Sequence, residues 1–124
     1  MIEFRAEFDL PWPPRSLSPN ARQHWAAHAR AKKKYRNACF LSVLEARLPG
    51  VPDGPLLVTL EFLRPDRRRY DQDGLLARMK AGLDGVAEAL GVDDHRFDLQ
   101  KPLFPDQVVA GGCVHVVIEA RADE

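Results

Sequence analysis

The feature that most constrains this chain is a stretch without proline or glycine that covers residues 20–48. It is rich in Ala, Lys and Arg, which favour helices, and a Pro-Gly pair follows it. Ser18 is the predicted N-cap and Pro19 the first helical residue, so we expect one long helix that ends near Arg47. Its first half is basic and its second half apolar, which predicts one end in a core and the other towards solvent or a partner.

Strand patterns lie on both sides of this helix. Periodicity predicts four strands, at residues 2–10, 55–63, about 98–104 and about 112–120. An apolar stripe at helical spacing predicts a second helix over about 73–90. The order β-α-β-α-β-β predicts an α/β fold, a small single domain over residues 1–124 with a mixed sheet and two main helices.

The composition narrows the class of protein. No apolar run approaches the roughly 20 residues of a membrane span, and the first residues lack the apolar stretch of a signal peptide. Cys39 and Cys113 each lie in an apolar segment, which predicts buried thiols in a reducing compartment. We therefore expect a cytoplasmic protein that does not enter a membrane.

The net charge is zero, but the charges are unevenly distributed. Residues 1–47 carry nine Lys/Arg and four Asp/Glu, a balance of +5, whereas residues 48–80 carry six and five, a balance of +1. Residues 81–124 carry three Lys/Arg and nine Asp/Glu, a balance of −6. Such a chain can present a basic surface to a polyanion and a separate acidic cluster to a cation.

The strongest chemical signal is the pair Asp71 and Asp73 directly after three arginines, Arg67, Arg68 and Arg69. A second acidic pair, Asp93-Asp94, follows about twenty residues later. Carboxylates from two elements can converge on a hard cation such as Mg²⁺, which activates water at a phosphate, while the arginines hold a DNA backbone. The alternative is structural: the acids cap a helix and the arginines form a solvated loop.

Three segments stand in the same order along the chain: LPWPP before a loop with Asn20, RRRYDQDG, and GVDD after an amphipathic helix. Together they resemble the motifs of the RusA-type Holliday-junction resolvases of phages and prophages. The resemblance implies a homodimeric α/β domain that binds four-way junction DNA and cuts two strands symmetrically with Mg²⁺ or Mn²⁺. It also implies that Asp71, Asp73 and Asp94 are the essential metal-binding carboxylates, with Asp93 in support.

The chain departs from the family pattern at two positions. Gly74 stands where an Asn usually follows the second aspartate, and Ala77 stands where the lysine is expected. Lys80 fits the lysine better, because Asp84 follows it at the family spacing, although this requires about one extra helical turn after Asp73. Lys80 is therefore the predicted catalytic cation, and the alternative is a surface pair with Asp84.

The remaining candidates divide between binding and structure. Lys32, Lys33 and Lys34 are predicted to contact DNA phosphates together with the three arginines, although such a patch is ordinarily a solvated helix face. Trp12 and Trp25 either stack on exposed bases or anchor the fold. The histidines, which are His24, His28, His95 and His115, are assigned to surface, turn and strand positions.

These residues together predict a metal-dependent endonuclease that resolves four-way junctions in DNA recombination and repair. Two other functions stay open at this stage. One is a catalytically inactive protein that binds junction DNA, which Gly74 and the displaced lysine favour. The other is a nuclease of the same chemistry that acts on flaps or RNA.

Overall fold

The strands form one mixed sheet with the spatial order β1-β4-β2-β3. The computed structural model describes residues 2–18 and 24–121. The bounds are β1 Ile2–Pro11, α1 Trp25–Ala46, β2 Leu56–Leu63, α2 Gln72–Arg78, α3 Lys80–Leu90, β3 Phe97–Leu99 and β4 Cys113–Arg121. The predicted α/β fold with a mixed sheet is confirmed.

The sheet combines two kinds of strand pairing. β4 lies between β1 and β2 and is antiparallel to both, whereas β2 and β3 are parallel. Parallel neighbours need a long crossover connection, and α2 and α3 supply it. The amino end of β3 lies beside the amino end of β2, since Phe97 is the partner of Leu56. The residues before β3 and the residues after β2 therefore lie at opposite ends of this strand pair.

One face of the sheet forms the core with the helices. Along β4, Val114, Val116 and Ile118 are fully buried, and they alternate with residues that stay partly exposed. The inner residues of β1 and β2 continue the same layer. From the helices, Cys39 and Met79 pack into it, and burial raises the pKa of the Cys39 thiol to about 11. The prediction of a buried thiol is confirmed for Cys39, whereas Cys113 is only half-buried.

The long helix begins later than the sequence predicts. Ser18 is not its N-cap but follows the short 3₁₀ helix Arg15–Leu17, and Pro19 lies outside the described residues. His24 is the N-cap instead, because its Nδ1 accepts a hydrogen bond from the backbone N–H of Ala26 at 3.2 Å. Histidine is an uncommon cap, so the pattern of Ser, Thr, Asp and Asn does not identify it.

The predicted second helix is interrupted at Met79. The N–H of Met79 bonds to the carbonyl of Leu76 at 3.1 Å, a tight i to i−3 contact, before Leu83 restores the helical pattern with the Met79 carbonyl at 2.9 Å. Met79 is fully buried. The expectation of one helix over 73–90 was therefore wrong in this detail, and the break stands directly before Lys80.

The third predicted strand is shorter than expected. β3 ends at Leu99, and Pro102, which has no N–H to donate, follows three residues later. Leu103 then returns to β2, where its N–H bonds to Leu60 and its carbonyl accepts from Phe62, both at 2.9 Å.

None of the helices in the described parts of the chain is both long enough and apolar enough to span a bilayer.

Helices α1 and α3 pack unusually close together at two glycines. A Cβ atom built on Gly85 would lie 2.2 Å from the carbonyl oxygen of Arg36, and one on Gly82 would lie 2.6 Å from the ring of Tyr35. The contact at Gly85 is with backbone, which cannot rotate out of the way. Glycine is required there by the distance between the helices, although it lowers the helix propensity of α3.

We expect Gly85→Ala to destabilise the protein, although alanine favours an isolated helix by about 1 kcal/mol. Forcing α3 away from α1 should cost about 2–3 kcal/mol, as for an overpacked core. Urea unfolding followed by circular dichroism measures this. The matched control is Gly50→Ala, where a Cβ meets nothing within 4 Å, and its free energy of unfolding should change by less than about 1 kcal/mol. Equal effects of the two substitutions would contradict the packing argument.

Candidate nucleic-acid interface

A groove of about 650 Å³ lies between α1 and the α2–α3 crossover. Basic side chains from both sides dominate its lining, namely Lys32, Lys33, Arg36, Arg78 and Lys80. Asp84 and Glu88 contribute the carboxylates. The close packing of α1 on α3 thus brings residues about fifty positions apart in the chain to one concave, largely cationic surface.

The charges of the groove are only partly neutralised. Arg36 donates to Glu88 at 2.7 Å, and both side chains are about half exposed, so this surface ion pair contributes little to stability. Lys32, Lys33 and Lys80 have solvent-exposed positions along the same groove. A row of exposed ammonium groups in a concavity is well suited to an anionic polymer.

Asp84 forms a carboxyl pair with Asp94 beside the groove. Partial burial raises the pKa of Asp84 above its ordinary value, and a hydrogen bond with Asp94 and the charge of Asp94 raise this pKa further. Arg36 and Lys80 oppose the shift. Two carboxyl groups in contact repel each other when both are ionised, and a shared proton or a cation relieves that repulsion.

Asp94 is positioned by a short 3₁₀ turn, Asp94–Arg96, that the chain forms before β3. The side chain of Arg96 donates to the carbonyl oxygens of Gly54, at 2.9 Å, and of Pro52. Asp93 caps the turn by accepting from the N–H of His95 at 3.0 Å, and this hydrogen bond lowers the pKa of Asp93. The predicted supporting aspartate thus has a structural role in holding its neighbour.

Asp71 and Asp73 lie at the start of α2. Asp71 is the N-cap, and its Oδ2 accepts from the N–H of Gly74 at 3.2 Å. Asp73 stands in the first turn, and both side chains are exposed in a shallow surface depression with Arg69 and Tyr70. A Cβ on Gly74 would lie 3.1 Å from that same Oδ2, so the glycine leaves room for the cap.

The structure does not bring the predicted metal ligands into one cluster. Within residues 2–18 and 24–121, no three Asp, Glu, His or Cys side chains are grouped so that they could hold a metal ion. The topology explains this, because Asp71 and Asp73 follow the carboxyl end of β2 whereas Asp94 precedes the amino end of β3. The donor set that the fold does assemble is the pair Asp84 and Asp94.

The pair fits a magnesium ion in one respect. Mg²⁺ is commonly bound through one or two carboxylates, with water and phosphate oxygens in the remaining positions. Asp84 and Asp94 provide two adjacent oxygen-bearing groups next to the cationic groove. Asp71 and Asp73 form a separate acidic position at the other end of the crossover.

The arginine segment is a loop that hydrogen bonds and ion pairs hold in part. Arg67 donates to Asp106 at 3.0 Å and Arg64 donates to the same oxygen at 3.3 Å. Asp66 accepts from the backbone N–H of Arg68 at 2.9 Å and from the Tyr70 hydroxyl at 3.0 Å. The guanidinium groups of Arg67 and Arg68 remain mostly exposed, so they can contact a further anion.

Arg78 lies near both the groove and Tyr70. It lines the groove, and its charge also acts on Tyr70, which lies beside Asp71. Its Nε is buried and has no hydrogen-bond acceptor among the described residues. A buried donor without an acceptor is uncommon in proteins.

The predicted cations are placed differently by the structure. Lys80 lines the groove near Asp84, which its charge affects, and is not grouped with Asp71 and Asp73. Lys32 and Lys33 line the groove, whereas Lys34 lies on α1 outside it. The sequence indicates Asp84 only as the spacing partner of Lys80, because its contact with Asp94 depends on a turn that no local pattern reveals.

The aromatic and histidine candidates have different surroundings in the structure. Trp12 is an anchor, with its ring 5.3 Å from that of Tyr70 and 6.0 Å from that of Phe62. Trp25 is 77% exposed at the start of α1. His28 lines the groove and its Nδ1 lies 3.0 Å from the carbonyl oxygen of Ser16.

The outer face of the sheet carries the opposite charge. Residues that are directly paired on neighbouring strands lie on the same face of the sheet. By this pairing, the acidic residues of the outer face are Glu7, Asp9, Glu61, Asp98 and Glu119. His115 lies among them, with Nδ1 2.7 Å from Asp9 and Nε2 3.1 Å from Glu7. This face, hereafter the acidic sheet face, lies on the side of the sheet away from the core and the helices that line the groove.

A comparison with known proteins identifies a relative. The chain is 40% identical over 112 residues to a protein of Xylella fastidiosa (strain Temecula1) that is described as uncharacterized. The alignment covers 88% of this chain and 72% of that protein. The two proteins belong to one family. No family model matches the chain.

The acidic sheet face predicts a stability that depends on pH. Partial burial disfavours the charged imidazole, but the hydrogen bonds that it donates to Asp9 and Glu7 outweigh the burial and raise the pKa of His115 above 6.5. The same contact with His115, followed by the charge of Arg5, lowers the pKa of Glu7 below 4.5. The ion pair therefore stabilises the fold most between these two ordinary values.

We expect His115→Gln to lower the free energy of unfolding near pH 6 and to have a smaller effect near pH 8, where the wild-type imidazole has lost more of its proton. Urea unfolding at both pH values measures the difference. The control is His95→Gln, because the His95 side chain is 79% exposed and should contribute little. A loss that is the same at both pH values would show that His115 acts by packing alone.

Proposed function

We propose that this protein is a Mg²⁺- or Mn²⁺-dependent endonuclease that acts on four-way DNA junctions as a homodimer in the cytoplasm, in recombination and repair. The observation that supports it best is the composition of the groove between α1 and α3. Lys32, Lys33 and Lys80, assigned to DNA and phosphate contact from the sequence, meet there with Asp84. Asp94, assigned to the metal, contacts Asp84.

The distribution of charge supports DNA as the bound polymer. The groove presents a row of exposed lysines, and the arginine loop Arg67–Arg69 adds a second exposed basic segment. The acidic sheet face would repel phosphates, so a DNA backbone is accepted from the helical side only. Contacts of Lys and Arg with phosphates provide most of the sequence-independent affinity of such proteins.

A divalent cation would be held by Asp84 and Asp94. When bound, the ion supplies positive charge for a scissile phosphate and lowers the pKa of water. Lys80 and Arg36, whose charges already act on Asp84, would orient the same phosphate by charge. Arg78, which also lines the groove, adds a further cation to its wall.

The homodimer follows from the proposed reaction. A four-way junction has two-fold symmetry, and paired cuts on two strands need two copies of one cleavage site. A dimer with a two-fold axis places two identical grooves in a symmetric relation. It also offers a second copy of Asp71 and Asp73, which lie apart from Asp94 in the single chain.

A second function, binding of junction DNA without cleavage, is favoured by one observation. Asp71 is engaged as the cap of α2, and the predicted three-aspartate set is not assembled within the described part of one chain. Such a protein would keep the basic groove and lack metal-dependent turnover. The cleavage experiment below separates the two functions, and flap and RNA substrates test the remaining alternative.

We expect a labelled synthetic four-way junction to be cut in the presence of Mg²⁺ and to stay intact in EDTA. Asp94→Asn should lower the single-turnover rate by more than about tenfold, which is about 1.4 kcal/mol of activation free energy, while gel-shift affinity is retained. The control is Asp98→Asn on the acidic sheet face, which should cut at the wild-type rate. Binding without cleavage by the wild type would support the second function, and faster cleavage of flaps or RNA would change the substrate.

We expect Lys32→Ala to weaken binding to junction and duplex alike, since its ammonium lines the groove. If Lys32 neutralises one phosphate, the log–log slope of affinity against salt should flatten by about 0.9. The matched control is Lys34→Ala, because Lys34 lies on the same helix but outside the groove. A slope that changes equally for both variants would mean that the groove is not the DNA-binding surface.

A further inference from the structure

The basic groove continues towards an exposed aromatic side chain at the start of α1. Trp25 is 77% exposed, and its ring lies 5.6 Å from the ring of His24 at an angle of 32°. On a regular helix, Lys32 and Arg36 each lie within about 20° of Trp25 in azimuth, one on either side. Lys32 and Arg36 line the groove, so Trp25 stands on the same helix stripe about 10 Å beyond Lys32.

The two tryptophans of the chain differ in their contacts and exposure. Trp12 packs edge to face against Phe62 and Tyr70 inside the fold, so its ring has a structural role. The ring of Trp25 contacts His24 and leaves most of its surface to solvent. Core packing of the described residues therefore explains Trp12 and does not explain Trp25.

We propose that Trp25 stacks on an unpaired base of a DNA strand whose backbone follows the lysines of the groove. A cationic groove that follows a backbone, combined with an aromatic ring on which a base stacks, is the usual arrangement for single-stranded nucleic acid. In a duplex the faces of the bases are already stacked on one another, so a ring at the groove end has no partner. The occupant is thus a strand with an exposed base, as at a branch point.

This inference rests on the proposed function, because it uses the groove assigned to DNA. It adds that the groove distinguishes an unpaired strand from a duplex by stacking on a base. The lysines contribute affinity for any phosphate backbone, whereas Trp25 contributes only where a base face is accessible. The preference between substrates therefore depends on Trp25, and the salt dependence depends on the lysines.

Tryptophan fluorescence tests the proposal directly, since Trp12 and Trp25 are the two tryptophans of the chain. The protein is titrated with an oligothymidylate in EDTA, where no cleavage competes with binding. We expect strong quenching in the wild type and in Trp12→Phe, and none in Trp25→Phe. A duplex of equal length should quench weakly at the same concentration. If Trp12→Phe does not fold, the comparison of the wild type with Trp25→Phe is sufficient.

Affinity provides the second measurement. Trp25→Ala should raise the Kd for the oligothymidylate between about fivefold and about 150-fold, the range for loss of one base stack. Trp25→Phe should recover part of this loss, because phenylalanine also stacks. Binding of the duplex should change less than twofold in both variants, which separates lost stacking from a damaged fold.

The outcomes separate this inference from the proposed nuclease. Equal quenching by single strand and duplex, or an unchanged Kd for Trp25→Ala, would overturn the role of Trp25 even if junctions are cut in Mg²⁺. Quenching that depends on Trp25, in a protein that cuts no junction, would support the inference and overturn the nuclease. A Trp25→Ala variant that binds both probes equally weakly would also count against stacking.

Discussion

The close approach of α1 and α3 is the constraint on which the rest of the structure depends. The carbonyl oxygen of Arg36 occupies the space that a side chain at position 85 would need. At Gly85 the two backbones leave no room for a side chain between them, and the charged side chains of Arg36 and Glu88 lie at the rim beside this contact. The groove and the ion pair between Arg36 and Glu88 follow from that geometry.

The same packing decides which charged groups meet. Asp84 lies one residue before Gly85, so the position that allows the close contact also places a carboxyl group at the rim. The turn before β3 then brings Asp94 to Asp84, and Arg96 fixes that turn to the 52–54 segment. The carboxyl pair is thus a product of the helix spacing and of one turn, whereas Asp71 is held by the local geometry of its own helix.

The sequence predicts the fold well where one periodicity dominates. The alternation in residues 2–10, the apolar run of residues 55–63 and the long stretch without Pro or Gly correspond to β1, β2 and α1. The structure differs from these predictions where a local interaction overrides the periodic pattern. His24 replaced an expected serine cap, the buried Met79 formed a tight turn inside a continuous apolar stripe, and Pro102 shortened β3.

The candidate site was only partly accessible to sequence analysis. Lys32, Lys33 and Lys80 were named from charge and spacing, and the structure places them in one groove. The sequence does not indicate the partner of Asp94, because the contact of Asp94 with Asp84 depends on the path of the chain between α3 and β3. Spacing along a chain does not show at which end of a strand pair a loop lies. Asp71 follows the carboxyl end of β2, whereas Asp94 precedes the amino end of β3, so the two lie at opposite ends.

The division into a basic helical side and an acidic sheet face has a consequence for how the molecule moves towards a polyanion. Its net charge is zero, so the molecule as a whole experiences almost no attraction at a distance. It behaves as an electric dipole, which turns in the field of a charged rod before it is drawn in. Since ions screen such a field within about 8 Å at physiological salt, this alignment occurs only in the last step of an encounter.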